Sequence, residues 1–285
     1  MDNKVIVITD SIANIPKQMA EQYKIMVVPV MLLVQGKLYR DGVDMSPSEA
    51  YKMFLQDPER FKTSPASPEH YLEVYCEANK YAKSILCITI SSKISTMYDV
   101  ACVAREQAKT ALPETLIEVM DSHNVIAAEG LIALAAARVA MQGKDLAEVV
   151  KVAEEVRDKA TFLVTLDTIR HVYRTGRIPK IASQIGSMLN FKPILTSSSG
   201  LVRFKGIVRN REKGIKRMLE MLRNRVGQRP VHVAVMHAYA LDEAERLKER
   251  ISSEFNCAEL FITEFSPVMG YATGTGTLGF AFYKD

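Results

Sequence analysis

The sequence contains no tryptophan and no apolar run longer than ten residues. That run, Ile25 to Val34, is interrupted by Pro29. A membrane-spanning helix needs about twenty apolar residues, which excludes the run as one. The opening Met1-Asp2-Asn3-Lys4-Val5 leads directly into a strand-like stretch and lacks the layout of a signal peptide. Four cysteines occur, Cys76, Cys87, Cys102 and Cys257, and none forms a CxxC pair. Three lie inside apolar helix or strand patterns, which predicts buried free thiols in a reducing cytoplasm. Conventional catalytic sets are missing as well. The five histidines (His70, His123, His171, His232, His237) show no metal-ligand spacing, and neither HExxH nor GxSxG occurs. Without GxGxxG or a Walker lysine pattern, a nucleotide site is not supported. These absences favour a binding protein over an enzyme, with no catalytic residues, no metal and no cofactor expected.

Apolar residues are nonetheless plentiful, at 48% of 285, with 25% charged. That composition predicts a globular chain, and the length predicts about two domains. The first half alternates strand-like runs (5–9, 26–34, 85–90, 116–120) with helical stretches (from Ser46-Pro47-Ser48-Glu49, 67–80, 95–109, 124–142). Such alternation predicts a mostly parallel sheet flanked by helices. The second half has short strands (162–166, 191–196, 201–205, 207–210, 231–236, 260–265, 277–283), a short basic helix ending at Thr175-Gly176, and helices over 211–226 and 241–254. Short links there predict a mixed or antiparallel sheet with helices. The fold class is therefore α/β in two domains, 1–158 and 159–285.

Charge is unevenly spread. Between Arg170 and Arg229 there are fifteen lysines or arginines and two acids, leaving 22 basic and 31 acidic residues elsewhere. This segment is either a solvated basic face or a docking surface for an acidic partner, a phosphate or a nucleic acid. Fourteen methionines suit adaptable apolar pockets, though most will be plain core.

Five segments could carry chemistry. Thr9-Asp10-Ser11 ends the first strand, where open α/β sheets bind ligands, although position alone favours Asp10 and Ser11 as caps of the next helix. Lys62 to Pro68 reads as a loop with three hydroxyls braced by two prolines. Ile90 to Thr96 opens a helix, and free N–H groups and hydroxyls at such a start suit a carboxylate. Arg174-Thr175-Gly176-Arg177-Ile178 turns Arg177 away from a helix end. Gly270 to Gly276 is a glycine-rich turn or a phosphate cradle, with no helix predicted after it.

Taken in order, these segments resemble the DegV family of bacterial lipid-binding proteins. Thr9 to Pro16 resembles T-D-S-T-A-D-L-P, Thr63 to Pro68 resembles T-S-Q-P-S-P, and Ser91 to Tyr98 resembles S-S-x-L-S-G-T-Y. Asp121-Ser122, Arg174 to Ile178, Leu189 to Leu195 and Gly270 to Gly276 match further motifs in sequence order. Ala272 stands where many members carry His, Thr275 where they carry Pro, and Thr175 where they carry Gly; Thr96-Met97 replaces Gly-Thr. The resemblance implies a carrier of one long-chain fatty acid. Its tail would lie in an inter-domain tunnel and its carboxylate on the Thr63 and Ser95 hydroxyls. A separate fatty acid kinase would phosphorylate that carboxylate. Ser64, Ser92, Asp10, Ser11, Arg177, Thr273 and Gly274 are the other residues expected near the ligand. Lys205, Arg209 and Arg203 are the expected docking residues. The rival expectations are a phosphotransfer enzyme using 270–276 and a nucleic-acid-binding regulator using 170–229. Against the latter, aromatics in the basic segment are sparse and no stable nucleic-acid complex is expected.

Overall fold

The structure is a computed structural model and describes residues 4–177 and 191–285. Ile178, Leu189 and Asn190, which belong to two of the quoted motifs, lie outside the described residues.

Three sheets organise the described residues. The first is parallel, with strands β1 (Val5–Asp10), β2 (Met26–Val28), β6 (Ser84–Thr89) and β7 (Leu116–Asp121) in the order β2-β1-β6-β7. Helices α3 (Pro68–Ala78) and α4 (Met97–Ala111) pack together beside it, while α5 (Ala127–Met141) lies against β1 and α6 (Leu146–Lys159) against β6. A small antiparallel sheet joins β3 (Met31–Val34), β4 (Lys37–Arg40) and β5 (Phe61–Ser64) in the order β4-β3-β5.

The third sheet has six strands: β8 (Thr161–Thr165), β9 (Lys192–Ser198), β10 (Leu201–Val208), β11 (Val231–His237), β12 (Cys257–Glu264) and β13 (Leu278–Lys284). Their order is β10-β9-β8-β13-β11-β12. Only the β11–β12 pair among its ladders is parallel. Helices α8 (Arg211–Val226) and α9 (Leu241–Glu254) cover one face. The short helices are α1 (Lys17–Gln22), α2 (Pro47–Gln56), α7 (Arg170–Arg174) and α10 (Pro267–Thr273).

Period-two alternation divides the six-stranded sheet between two cores. Leu163, Phe280 and Phe282 join the α8 and α9 side, with Met218, Leu222 and Leu247. Phe162, Val164, Ala281 and Tyr283 point the other way, into the core shared with the parallel sheet. Between the two sheets runs α5. It is buried on almost every side and contacts β1, β11 and β13, which explains why its sequence is apolar all round rather than amphipathic.

Several local expectations change. The run 26–34 is two strands, because the chain leaves the parallel sheet at Pro29, which has no N–H for a ladder, and enters the small sheet at Met31. Residues 61–64 form a strand rather than a loop, paired to β3 with Thr63 opposite Leu32. The strands expected at 201–205 and 207–210 are one, with a register shift between Phe204 and Gly206. Gly270 to Thr273 is helical, since Ser266 caps α10 and Pro267 fills its first turn. Gly270 faces Tyr51, and a Cβ there would lie 2.3 Å from the Tyr51 ring. The capping box at Ser46 and Glu49 forms as expected, with Glu49 Oε2 accepting from the Ser46 N–H at 2.9 Å.

Candidate functional site

The loops after β1, β6 and β7 leave the same end of the parallel sheet and face the β8, β9 and β10 strands of the larger sheet. Between them lies a cavity of about 360 Å³. Ile12, Ile90, Val125 and Ile126 come from the loops; Phe162, Val164, Leu195 and Val202 come from the opposing strands; Val268 and Met269 come from α10. The volume falls within the ~300–1,000 Å³ typical of small-molecule sites. Ile126 takes φ +55°, a costly conformation for a β-branched residue, at the N-cap of α5 on this wall.

Hydroxyls line part of this cavity. Thr63 and Ser64 end β5, and Ser92, Ser95 and Thr96 belong to the β6–α4 loop. The Ala66 N–H donates to Met97 Sδ at 3.2 Å, tying the two segments together. Behind the cavity the loop is held rigidly. The Ile94 and Ser95 N–H groups donate to Ser91 O, and the Ser91 N–H donates to Asn124 O. Ser91 Oγ donates to Gly200 O at 2.7 Å and Lys93 Nζ to Ser199 O at 2.8 Å, so the β9–β10 hairpin tip is fastened to the same loop.

The hydroxyls differ in what they have left to give. Ser92 Oγ donates to Asp121 Oδ2 at 2.5 Å, and Thr273 Oγ1 donates to Met269 O at 2.8 Å. Ser95 Oγ accepts from the Met97 N–H at 3.4 Å, which leaves its own proton for a ligand. Thr63 Oγ1 makes no hydrogen bond among the described residues, and Thr96 at the N-cap of α4 makes no side-chain cap. The α4 amino end therefore offers hydroxyl and N–H donors to the cavity, an arrangement suited to an anionic oxygen. Arg177 is exposed and also lines the cavity, with Nη1 donating to Thr175 O at 2.5 Å.

Other expected residues are placed elsewhere. Asp10 is fully buried below the cavity, where Oδ1 accepts from the Ile12 N–H at 3.0 Å and Oδ2 from the Ile90 N–H at 2.9 Å. It anchors two wall segments and does not line the cavity. Ser11 donates to Asp41 Oδ2 at 2.7 Å and accepts from the Val30 N–H at 3.1 Å. Asp41 in turn accepts from the Val268 N–H at 3.1 Å and so reaches across to α10. Burial pushes the Asp10 carboxyl up to about 7 and the Asp41 carboxyl to about 6. Gly274 ends α10 at φ +85°, with His171 where a Cβ would sit, so its role is conformational. His237 is buried, its imidazolium is disfavoured by burial, and Nδ1 accepts from the Ala240 N–H at 3.3 Å. That is a structural contact.

A phosphate cradle over 270–276 is not formed, because four of its residues are helical and Tyr51 packs on Gly270. The basic segment is partly neutralised: Arg174 pairs with Glu59, Lys192 with Asp167, Arg211 with Glu243, and Arg223 with Glu254. Arg203 and Lys205 are exposed on β10, alternating with Val202 and Phe204, which are packed against the core; Arg209 follows, also exposed. None of these three lines the cavity. Among the described residues no cluster of His, Cys, Asp or Glu could hold a metal ion. No helix among them is long and apolar enough to cross a membrane.

The comparison with known proteins agrees with this architecture. The family described as "Uncharacterised protein, DegV family" matches residues 4–285. The chain belongs to the DegV family. Among curated DegV relatives, one from Caldanaerobacter subterraneus is 33% identical over 78% of this chain and 77% of its own length. Two solved DegV structures cover 99% of this chain. One, from Thermus thermophilus and described by its fatty acid binding, has a TM-score of 0.90, 26% identity and 100% of its own chain matched. The other, DegV of Bacillus subtilis, is described as a fatty acid binding protein; its TM-score is 0.88, with 27% identity and 99% of its chain matched.

One residue behind the DegV cavity escaped the sequence reading. Glu129, on α5, is fully buried and accepts from Thr9 Oγ1 at 3.1 Å. Its signal was present: an acid in the first turn of a helix whose other charged residue, Arg138, comes nine residues later in the last turn.

Proposed function

We propose that this DegV-family chain binds one long-chain fatty acid non-covalently. Its carboxylate sits on the Thr63 and Ser95 hydroxyls and its tail in the cavity between the sheets. One observation carries the reading: an apolar cavity ends at a helix start where two hydroxyls keep protons to donate. Carboxylates accept several such bonds, and an acyl tail supplies the apolar surface the remaining walls require. The fatty acids named for the Thermus and Bacillus relatives support the same ligand class. In this reading the protein is a cytoplasmic carrier, divided at residues 158 and 159, that performs no chemistry and presents the carboxylate to a separate kinase. Arg203, Lys205 and Arg209, exposed and without ion pairs among the described residues, are the proposed docking groups.

Burying about fifteen methylenes of a sixteen-carbon tail contributes roughly 12 kcal/mol before the costs of association. The purified protein should therefore carry fatty acid into native mass spectrometry, or take up palmitate or oleate on incubation. Apo protein after both treatments would end the carrier reading. Docking is tested apart from binding: Lys205→Ala and Arg209→Ala should lower kinase-coupled turnover more at low salt than at high, with palmitate affinity intact. Unchanged turnover at low salt would make the basic residues a solvated surface only.

A further inference from the structure

Beneath the hydroxyl end of the cavity lie two carboxyl groups with no counter-ion. Asp10 and Glu129 are both fully buried and within hydrogen-bond reach of each other. No lysine, arginine or histidine pairs with either among the described residues. Their surroundings are unequal. Both Asp10 oxygens accept a backbone N–H, from Ile12 and Ile90, whereas Glu129 accepts only from the Thr9 hydroxyl through Oε1. Taken as a carboxylate, Glu129 leaves Oε2 buried with no partner. Two adjacent buried anions and one orphaned oxygen form a costly arrangement. One proton on Glu129, donated to Asp10, removes the repulsion and, by making Glu129 neutral, lowers the cost of its orphaned oxygen.

We propose that Glu129 is a positioning residue for the ligand's head group. It stays a neutral acid and donates to the Asp10 carboxylate, which then holds the Ile12 and Ile90 backbones on the cavity wall. Ile90 begins the loop carrying Ser91, Ser92 and Ser95, so the register of the donor hydroxyls depends on the pair. Burial and the neighbouring Asp10 push the Glu129 carboxyl far above its ordinary value, consistent with the shared proton sitting there. The other titratable groups facing the pair are Asp41, Asp121, Tyr71 and Cys87; burial holds the last two neutral. Tyr71 also has a hydroxyl with no partner.

The head-group role rests on the fatty-acid reading, but the shared proton does not, and the test separates them. Infrared difference spectra of ligand-free wild type against Glu129→Gln at neutral pH should show a protonated-carboxyl band that the variant lacks. In parallel, palmitate and its methyl ester are titrated into wild type, Glu129→Gln and Glu129→Leu. Gln keeps a donor towards Asp10 and an acceptor for Thr9, so it should bind both ligands within about twofold of wild type, while Leu should lose about tenfold for the acid and less for the ester. A palmitate-binding wild type without the band overturns the acid pair. The band with equal losses for acid and ester, or with Gln as damaging as Leu, overturns the positioning role. A wild type that takes up no palmitate overturns the fatty-acid reading and the head-group role together, whatever the band shows.

Discussion

The two faces of the six-stranded sheet are built from the same strands and are both apolar, yet they end in different states. Leu163, Phe280 and Phe282 are closed over by α8 and α9. Phe162, Val164, Leu195 and Val202 meet loops instead of a helix over part of their face, and a cavity remains. Side-chain size does not explain the difference, since both faces carry branched and aromatic residues. What differs is the opposing surface. A helix presents a continuous stripe that can interdigitate with a sheet, whereas strand-end loops spend their residues satisfying their own backbone. The acids divide the same way: the buried carboxyls Asp10, Asp41 and Glu129 all lie on the cavity side.

Four tests probe that contrast, beginning with the largest effect. Phe280→Ala, on the closed face, should cost about 3–5 kcal/mol of stability in urea unfolding, because nothing can collapse into the hole. Any protein still folded should bind palmitate as wild type does. A smaller effect is expected from pH. Asp41 holds a proton in the folded state that the unfolded chain releases from near 3.8, so its contribution to the unfolding free energy should fall as pH rises from about 4 to about 6. That loss is about 3 kcal/mol, since each tenfold difference in proton affinity between folded and unfolded chain is worth about 1.4 kcal/mol. Urea midpoints across that window measure it, and Asp41→Asn should flatten part of the slope. An unchanged midpoint between pH 4 and 6.5 would mean this acid is ionised throughout.

Third, Thr63→Val and Ser95→Ala should each weaken palmitate binding about tenfold or more, a hydrogen bond to a charged group being worth roughly 1.5–3 kcal/mol. Calorimetry with the methyl ester should show a much smaller loss, and equal losses for both ligands would remove these residues from the carboxylate site. The smallest effect belongs to Val202→Ala on the open face. It should leave stability within about 1 kcal/mol and weaken palmitate about fivefold, the share of a methylene or two at ~0.8 kcal/mol each. A stability loss matching that of Phe280→Ala would erase the distinction between the faces.

The sequence disclosed elements whose signals are local. Ser46-Pro47-Ser48-Glu49 starts a helix because its capping groups lie three residues apart, and the alternation of 5–9 with later helices announces a parallel sheet. Thr63 was legible as a polar candidate but not as part of a strand, because β5 exists only through its pairing with β3, about thirty residues earlier. Helix α10 was hidden by its glycines. Its Ser266-Pro267 start is a good local signal, but Gly270 and Gly274 read as a turn until Tyr51 and His171 are seen packed against them. Asp10 presented the opposite difficulty. Its capping of the turn after β1 was legible, since Oδ1 accepts from Ile12 two residues on, whereas only tertiary structure shows Oδ2 taken by the Ile90 N–H eighty residues away.

The cavity draws its walls from Ile12 at one end of the chain to Thr273 at the other. During synthesis, the parallel sheet can pair while the ribosome is still making β8, since all four of its strands are complete by Asp121. The pocket cannot close at that stage. It needs the β9–β10 hairpin, which Ser91 and Lys93 grip at Gly200 and Ser199, and then α10, which begins about sixty residues after β10 ends. At about 5–20 residues per second, the interval between a paired first sheet and a complete pocket lasts several seconds or more. Through that interval the apolar loop residues Ile12, Ile90 and Ile126 lack the strands and helix that complete the cavity around them.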